Sequence, residues 1–391
     1  MTALYLLEPD QPGAAWAPFA GASTLAELRA GGWTVAERWA RALQLKAAKG
    51  TIAPHMSGAR AANALPVVAG NTVRGPAWVA DATFCPRLPM RASGSAKRLL
   101  FEGRTVAWRL DAGEAWQGVH TSGDGVVVDG LVLRGAWDLV TALERYLFDD
   151  TLTALEQGSD PVPDGVVVLG NPGAVAIRGA EVEPGVVLDV RKGAVILERG
   201  VVVRSGVRLE GPSWIREGSI VSGGQLRHVS AGPHCRLHGE LSTCTFTGYA
   251  NKSHDGFVGH SVIGAWANLG AGTITSNLKN TYGLVRLDPA GHPLDTGRMM
   301  LGSLIGDHAK TAIGSLMPTG AIVGAGANLF GAVRAAKYTA PFAWGDSGET
   351  LDADRFVAVA RRVMPRRDVP VDPTMEAALR ALYQRVMTRD A

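Results

Sequence analysis

Apolar side chains return every six residues through the second half of the chain. Leu197, Val203, Leu209, Ile215 and Val221 form one run, and Ile305, Thr311, Met317, Val323 and Leu329 form another. Four residues after these positions sits a smaller set with the same period: Val201, Val207, Ser213 and Ser219, then Ala309, Ser315, Ala321, Ala327 and Val333. A helix repeats every 3.6 residues and a strand every two, so neither gives a strict period of six. A hexapeptide repeat does, and it marks a parallel β-helix in which each hexad is one short strand plus a corner. The large residue points into a narrow prism and the small one fits under the corner. The chain's 49 glycines concentrate where the repeat needs those corners.

Residues 1–160 lack the period. The segment 3–7 reads as a buried strand, and 25–45 reads as a helix with Leu28, Val35, Trp39 and Leu43 on one face. Strands are expected near Val67 and at 105–110 and 126–133, and a helix at 139–155. Strands mixed with helices suggest an α/β layer domain. The turn-rich string GSDPVPDG at 158–165 marks its end. The prism is expected from about Val166 to about 340, with breaks at 227–239 and 284–299; the second is a polar loop projecting from one coil. The tail 341–391 leaves the repeat, with a helix at 374–387 whose stripe is Met375, Ala378, Leu379, Leu382 and Val386. A β-helix cannot close its own ends, so the flanking segments serve as caps.

The net charge of +3 over 391 residues gives no reason to expect nucleic acid or a membrane surface as partner. The basic run Arg361, Arg362, Arg366, Arg367 reads as a solvated or subunit-facing patch. Cys85, Cys235 and Cys244 are odd in number and have no CxxC spacing, which argues against a disulfide framework or a zinc site and fits a reducing compartment. The opening MTALYLLEPD is not a signal peptide, and no apolar run reaches membrane-spanning length. A cytoplasmic protein is expected. His228, His234 and His238 lie outside the clean repeat, and His254 and His260 stand one hexad apart on adjacent faces, so no metal site is expected.

The densest chemistry lies in NKSHDGFVGHSVIGAWANLGAGTITSNLKNTYG, residues 251–283. His254, the run Asn268-Leu269-Gly270-Ala271-Gly272-Thr273-Ile274-Thr275, and Asn277 resemble the acetyltransferase half of the bifunctional bacterial enzyme that makes UDP-N-acetylglucosamine. The string SNLKNTYG, with the later AKYTAPFAWG, is similar to a divergent subgroup of two-domain proteins described as sugar nucleotidyltransferase/acyltransferases. The resemblance covers 165–345 well and 1–35 weakly. It implies a left-handed β-helix, against the usual right-handed crossover rule, and a homotrimer.

It also implies acyl transfer, with acetyl-CoA as donor, to an amino or hydroxyl group of a sugar phosphate or nucleotide sugar. Such transfer needs a base, and histidine titrates in the right range. The resemblance makes His254 that base, places Asn268 and Asn277 at the acceptor pocket or beside the base, and sets Ala271 and Gly270 where the coil backbone meets acetyl-CoA. Backbone N–H groups there could hold the thioester oxygen. Lys279 could face an acceptor phosphate, and Glu240, one coil earlier, a sugar amine or hydroxyl. The alternatives are structural: His254 capping a corner, Asn268 and Asn277 in asparagine ladders, Lys279 and Glu240 solvated.

Sugar nucleotidyltransferases of this kind open with a strand and a glycine-rich basic loop that cradles phosphates. Here the strand is followed by LLEPDQPGAAWAPF, with no basic residue before Arg29. The string TLAELRAGGWTVAERW resembles the divergent subgroup's own motif, although Ser23-Thr24 stands where that subgroup often has Arg-Pro. Its Glu27, Arg29 and Arg38 are the candidates for a residual sugar or phosphate site, with Mg2+ required only if this domain is active. The other reading is a helix held by Glu–Arg pairs around a buried Trp39. Three functions therefore stand at this point: acyltransferase, sugar-1-phosphate nucleotidyltransferase alone or coupled to it, and a non-catalytic trimeric binding or scaffold protein.

Overall fold

A computed structural model describes residues 1–90 and 96–390. The N-terminal α/β region is built on a six-stranded sheet in the order 50–52, 3–7, 77–81, 104–110, 98–101, 125–127. The strand Ala3–Leu7 runs parallel to both neighbours, and Ala77–Asp81 pairs antiparallel with Arg104–Leu110. Helix α1 (Val35–Ala42) starts at Thr34, whose hydroxyl accepts from the Glu37 amide while the Glu37 carboxylate accepts from the Thr34 amide.

The continuous helix expected over 25–45 is not formed. The segment is a 3-10 turn at Leu25–Glu27, a tight pairing of Arg29–Ala30 with Trp33–Thr34, and only then α1. Gly31-Gly32 is the cause. Gly31 has φ +78°, and a Cβ on Gly32 would come within 2.6 Å of the Trp214 ring. The strand expected near Val67 is a single bridge to Thr51. Helix α2 (Asp138–Leu155) matches its expected span to one residue.

From 167 to 344 the chain forms a left-handed β-solenoid of about ten turns. Three faces stack in parallel. The first begins at Val167–Leu169, the second at Val175–Ile177 and the third at Glu181–Val182. The large residues of the hexads fill the prism: Leu197, Val203, Leu209, Ile215, Val221, Ile305 and Val323 are all 0 % exposed. The small corner residues Val201, Val207, Ser213, Ser219, Ala309, Ala321 and Ala327 are equally sealed. Val333 keeps the backbone register, its carbonyl accepting from the Leu316 amide at 2.8 Å, but is 65 % exposed, because no further rung follows it on the first face.

The expected break at 227–239 is a change of coil length and not an extrusion. Pairing advances from Gln225 to Glu240 to Phe257, 15 and then 17 residues, against 18 from Leu304 to Ile322. The strands Gln225–Ala231, Glu240–Phe246 and Phe257–Ile263 run straight through the corner between the first two faces. They do so by placing His228, Thr243 and His260 in the left-handed region, at φ 55°, 56° and 47°. The break at 284–299 is a projecting loop, carrying the hairpin Arg286–Leu287 with Leu294–Asp295.

The three faces meet different surroundings. The outward residues of the second face, Ala176, Ile196, Trp214, Val262, Leu304 and Ile322, lie in one core cluster with the N-terminal region. Trp214 meets Trp33 edge-on, with ring centroids 4.4 Å apart. The first face stays open to water, with Val167, Ile274 and Leu316 exposed on it. Helix α3 (Ala353–Val363), a second helix in the tail beyond the one expected, and α4 (Pro373–Asp390) pack over the corner between the second and third faces through Phe356, Val357, Ala360, Leu379 and Val386.

Candidate functional site

The corner between the third and first faces is the chemically open edge of the prism. In successive rungs it is made by residues 222–224, 238–239, 253–256, 270–273 and 312–315. His254 sits here and is exposed. Among the described residues its ring has no hydrogen-bond or ion-pair partner. Ala271 lies on the next rung, joined to this one by the Gly272 amide donating to the Asp255 carbonyl at 2.9 Å. The Ala271 amide has no acceptor among the described residues, whereas the Gly270 amide is taken by the Thr311 hydroxyl at 3.0 Å. Adjacent rungs are about 4.8 Å apart. The corner therefore sets an unpaired imidazole one rung from an unpaired N–H, which is what a base and an oxyanion donor require.

Flanking groups are tied down. Asp255 accepts from His238 Nε2 at 3.0 Å, and His238 Nδ1 lies 3.4 Å from the Ser222 hydroxyl. Asn268, on the outer side of the third face, accepts from Asn251 Nδ2 at 2.8 Å, one step of an asparagine ladder. Glu240 is exposed at the start of its strand, 4.0 Å from the Arg227 guanidinium. It lines a shallow depression with Gly224, Gln225, Gly239, Asp255, Gly256 and Phe257.

Two expected site residues lie across the first face from this edge. Asn277 donates to His260 Nδ1 at 2.8 Å, at the corner between the first and second faces. Lys279 is bound within the projecting loop, its ammonium on the Leu284 carbonyl. His260 belongs to a cluster that sequence reasoning missed. Glu144 of α2 stands 3.8 Å from His260 Nε2, and both its carboxylate oxygens accept from Arg298 Nη2 at 2.9 Å. Burial, with Arg298, His228 and Arg227 nearby and Glu144 opposing, pushes the His260 imidazole down to about 4. It is a neutral group at pH 7 that accepts from Asn277, while Arg298 fastens the loop to α2.

The N-terminal candidates are structural in their contacts. Glu27 completes a capping box with Thr24 and also receives the Arg60 guanidinium and the Leu65 amide. Arg29 is 5 % exposed and donates to the Gly32 carbonyl at 2.8 Å; burial lowers it to about 10. Arg38 is 0 % exposed, paired with Asp150, bonded to the Ala30 and Pro86 carbonyls, and stacked on Tyr146 at 4.3 Å. The reading of a helix held by Glu–Arg pairs describes these contacts only in part, because their partners are carbonyls and distant carboxylates.

A cavity of about 1030 Å³ instead lies beyond the carboxyl ends of the strands 3–7 and 50–52. Its walls include Asp10, His55, His292, Tyr338 and Arg385. Among the described residues, Asp10 is the one carboxylate in that lining, Arg385 is its one arginine or lysine, and no glycine-rich cradle faces it. These donors do not fit a magnesium triphosphate.

A second feature with no sequence forecast is a column of aromatic rings at the corner between the second and third faces. His234, Tyr249, Trp266 and His308 all have φ between 55° and 62°. Their rings stack at 5.0, 4.3 and 6.3 Å. The signal was available: each stands three residues before the inward residue of its rung, in register with Gly218 and Gly326, which hold the same backbone conformation. The three cysteines are free and buried, and burial pushes each thiol up to about 12. No group of three or more metal-ligating side chains occurs among the described residues, and no described helix is long and apolar enough to cross a membrane.

Comparison with known proteins adds a partial likeness. The chain is 36 % identical over 77 residues to a bifunctional sugar-1-phosphate nucleotidylyltransferase/acetyltransferase of Sulfurisphaera tokodaii. The match takes in 20 % of this chain and 19 % of that protein, so about a fifth of the relative's length is covered. No family model matches the chain.

Proposed function

We propose that the chain is an acyltransferase that moves an acetyl group from acetyl-CoA to an amine or hydroxyl of a sugar phosphate or nucleotide sugar. The observation that carries this reading is the open corner: an exposed, unpaired His254 one rung from the acceptorless amide of Ala271. The fold, a β-solenoid of the kind found in hexapeptide acyltransferases, and the acetyltransferase in the relative's printed name support it.

In this reading the acceptor's amine or hydroxyl loses its proton to the His254 imidazole as it attacks the thioester carbon. Negative charge on the carbonyl oxygen is met by the Ala271 N–H, a donor already fixed by the rung beneath it. Collapse expels the thiolate, which regains the proton from His254. Asn268, anchored by Asn251, presents its amide N–H beside this edge, and Glu240 offers a carboxylate to a sugar amine. Asn277 and Lys279 reach this edge only from another subunit.

A three-fold assembly is part of the proposal. Ile274, Ile313, Leu316 and Val333 are exposed about the first face and its edges, whereas the second face is already sealed. Size-exclusion chromatography with light scattering giving one subunit mass would remove that part.

The direct test is thiol release from acetyl-CoA with glucosamine 1-phosphate and glucosamine 6-phosphate as acceptors. His254→Ala should cut the rate by about 10²–10⁴. Equal rates for variant and wild type would refute the assignment.

A further inference from the structure

We propose that Lys252 is a positioning residue that fixes the His254 corner from inside the prism. This rests on the reading of His254 as the base. The inward column of the third face runs Val182, Val203, Val221, Leu237, Lys252, Leu269, Thr311, Leu329. Lysine is the one ionisable side chain in that column. It is 0 % exposed, and its flanking rungs present leucine. A packed solenoid has no need of a cation there, since burying an ammonium group is costly unless it is fully hydrogen-bonded.

Its ammonium turns back to the corner. Nζ donates to the carbonyl of His254 and, at 3.1 Å, to that of Asp255. Burial lowers this amine to about 8, against the Asp255 carboxylate, which raises it.

The neighbouring rungs show why a clamp is needed. At corner 270–273 the Thr273 hydroxyl donates to the Gly270 carbonyl at 2.7 Å. At 312–315 the Ser315 hydroxyl does the same to Ala312 at 2.9 Å. Each of those corners is pinned by a hydroxyl on its fourth residue. At 253–256 the fourth residue is Gly256, and no hydroxyl can take its place. A Cβ there would meet the Thr273 carbonyl oxygen at 2.3 Å, and φ is +127°.

The corner that carries the unpaired histidine therefore lacks its own pin. Lys252 supplies one from below, and His238 holds Asp255 from the side. With both carbonyls fixed, the Cα of His254 is set against the rung of Ala271. A base that must reach a proton within hydrogen-bond distance depends on that placement.

The test uses the full chain and Lys252→Met, with Lys252→Leu as a second variant of different shape. Amide hydrogen exchange is read by mass spectrometry beside the acetyl-transfer kinetics. Loss of a charged clamp predicts about ten- to hundredfold faster exchange at 270–273, where the Gly272 amide donates to the clamped Asp255 carbonyl, with 312–315 unchanged. Thermal midpoints should equal or exceed wild type. The kcat should fall at least about tenfold with KM for acetyl-CoA within about twofold, the pattern of an interaction felt in the transition state.

Exchange unchanged at 270–273 overturns the proposal, and so does faster exchange with full kcat. The wild type gives an arm that needs no variant: exchange at 270–273 relative to 312–315 should rise above about pH 8, as the amine loses its proton. A flat ratio from pH 6 to 9 counts against the clamp. If His254→Ala keeps full turnover, the base assignment fails while the exchange result still reports on Lys252.

Discussion

Replacing Asp150 by Asn should destabilise the protein by about 3–5 kcal/mol, because it strands a buried guanidinium. Arg38 and Asp150 are 0 % and 1 % exposed. Asp150 Oδ2 also accepts from the Gly32 amide at 2.8 Å, so it pins the turn that positions Trp33 against Trp214. The asparagine keeps an oxygen for Gly32 but removes the charge. Arg38 is then left with the Ala30 and Pro86 carbonyls and the Tyr146 ring. Arg38→Met should cost less, because burial already raises the Asp150 carboxyl and the abandoned acid can take up a proton. The double variant Arg38→Met/Asp150→Leu, which leaves no buried charge, should recover most of the loss, as apolar replacement of a buried pair often does. Urea unfolding followed by tryptophan fluorescence and far-UV circular dichroism measures all three. A loss below about 1 kcal/mol for Asp150→Asn would refute the reasoning. So would unchanged stability combined with lost ligand affinity in Arg38→Met, which would return Arg38 to a binding role.

Acid should weaken the fold through two buried histidines. Burial pushes His260 down to about 4 and His308 to about 3. Between those values and about 6.5 the unfolded chain binds protons that the folded chain refuses, so stability falls as pH drops through that window, by roughly 2 kcal/mol per histidine at pH 5. Thermal midpoints from pH 7.5 to 4.5 should show it, and His260→Gln should flatten the slope. Trp214→Ala should cost about 3–5 kcal/mol and raise exchange in α2, since this ring, 1 % exposed, joins the N-terminal region to the second face. Proteolysis of Arg298→Ala should cut first within 284–299, because Arg298 ties that loop to Glu144 and to the Thr141 hydroxyl.

Where the hexad is strict, it predicted burial residue by residue, from Leu197 to Val221 and again from Ile305 to Val323. Where a corner is made by a left-handed histidine or threonine inside a continuous strand, the coil shortens to 15 or 17 residues. The period then vanishes although the solenoid continues. Helix α4 was legible from its apolar stripe, while α1 was overextended because Gly31-Gly32 acts through tertiary contact with Trp214, which no local pattern reveals. The candidate site divides the same way. His254, Gly270 and Ala271 share one corner although the 17-residue coil between them breaks the strict repeat, and it was the motif around them that pointed to it. Asn277 and Lys279 follow the strand that leads into the projecting loop, so spacing alone could not place them. Glu27, Arg29 and Arg38 were candidates through the resemblance of TLAELRAGGWTVAERW to the divergent subgroup's motif, yet each is engaged by other groups of the protein. Lys252 was not legible, because the hexad counted back from Leu269 falls on Asn251 and only the 17-residue coil sets Lys252 in the inward column.

The central claim is tested most directly by calorimetry of coenzyme A and acetyl-CoA on wild type and on His254→Ala. The account predicts that both proteins bind, and that only the wild type releases thiol with an amino-sugar phosphate. Absence of binding to either protein would contradict it and leave a nucleotide-sugar-binding or scaffold role for the solenoid.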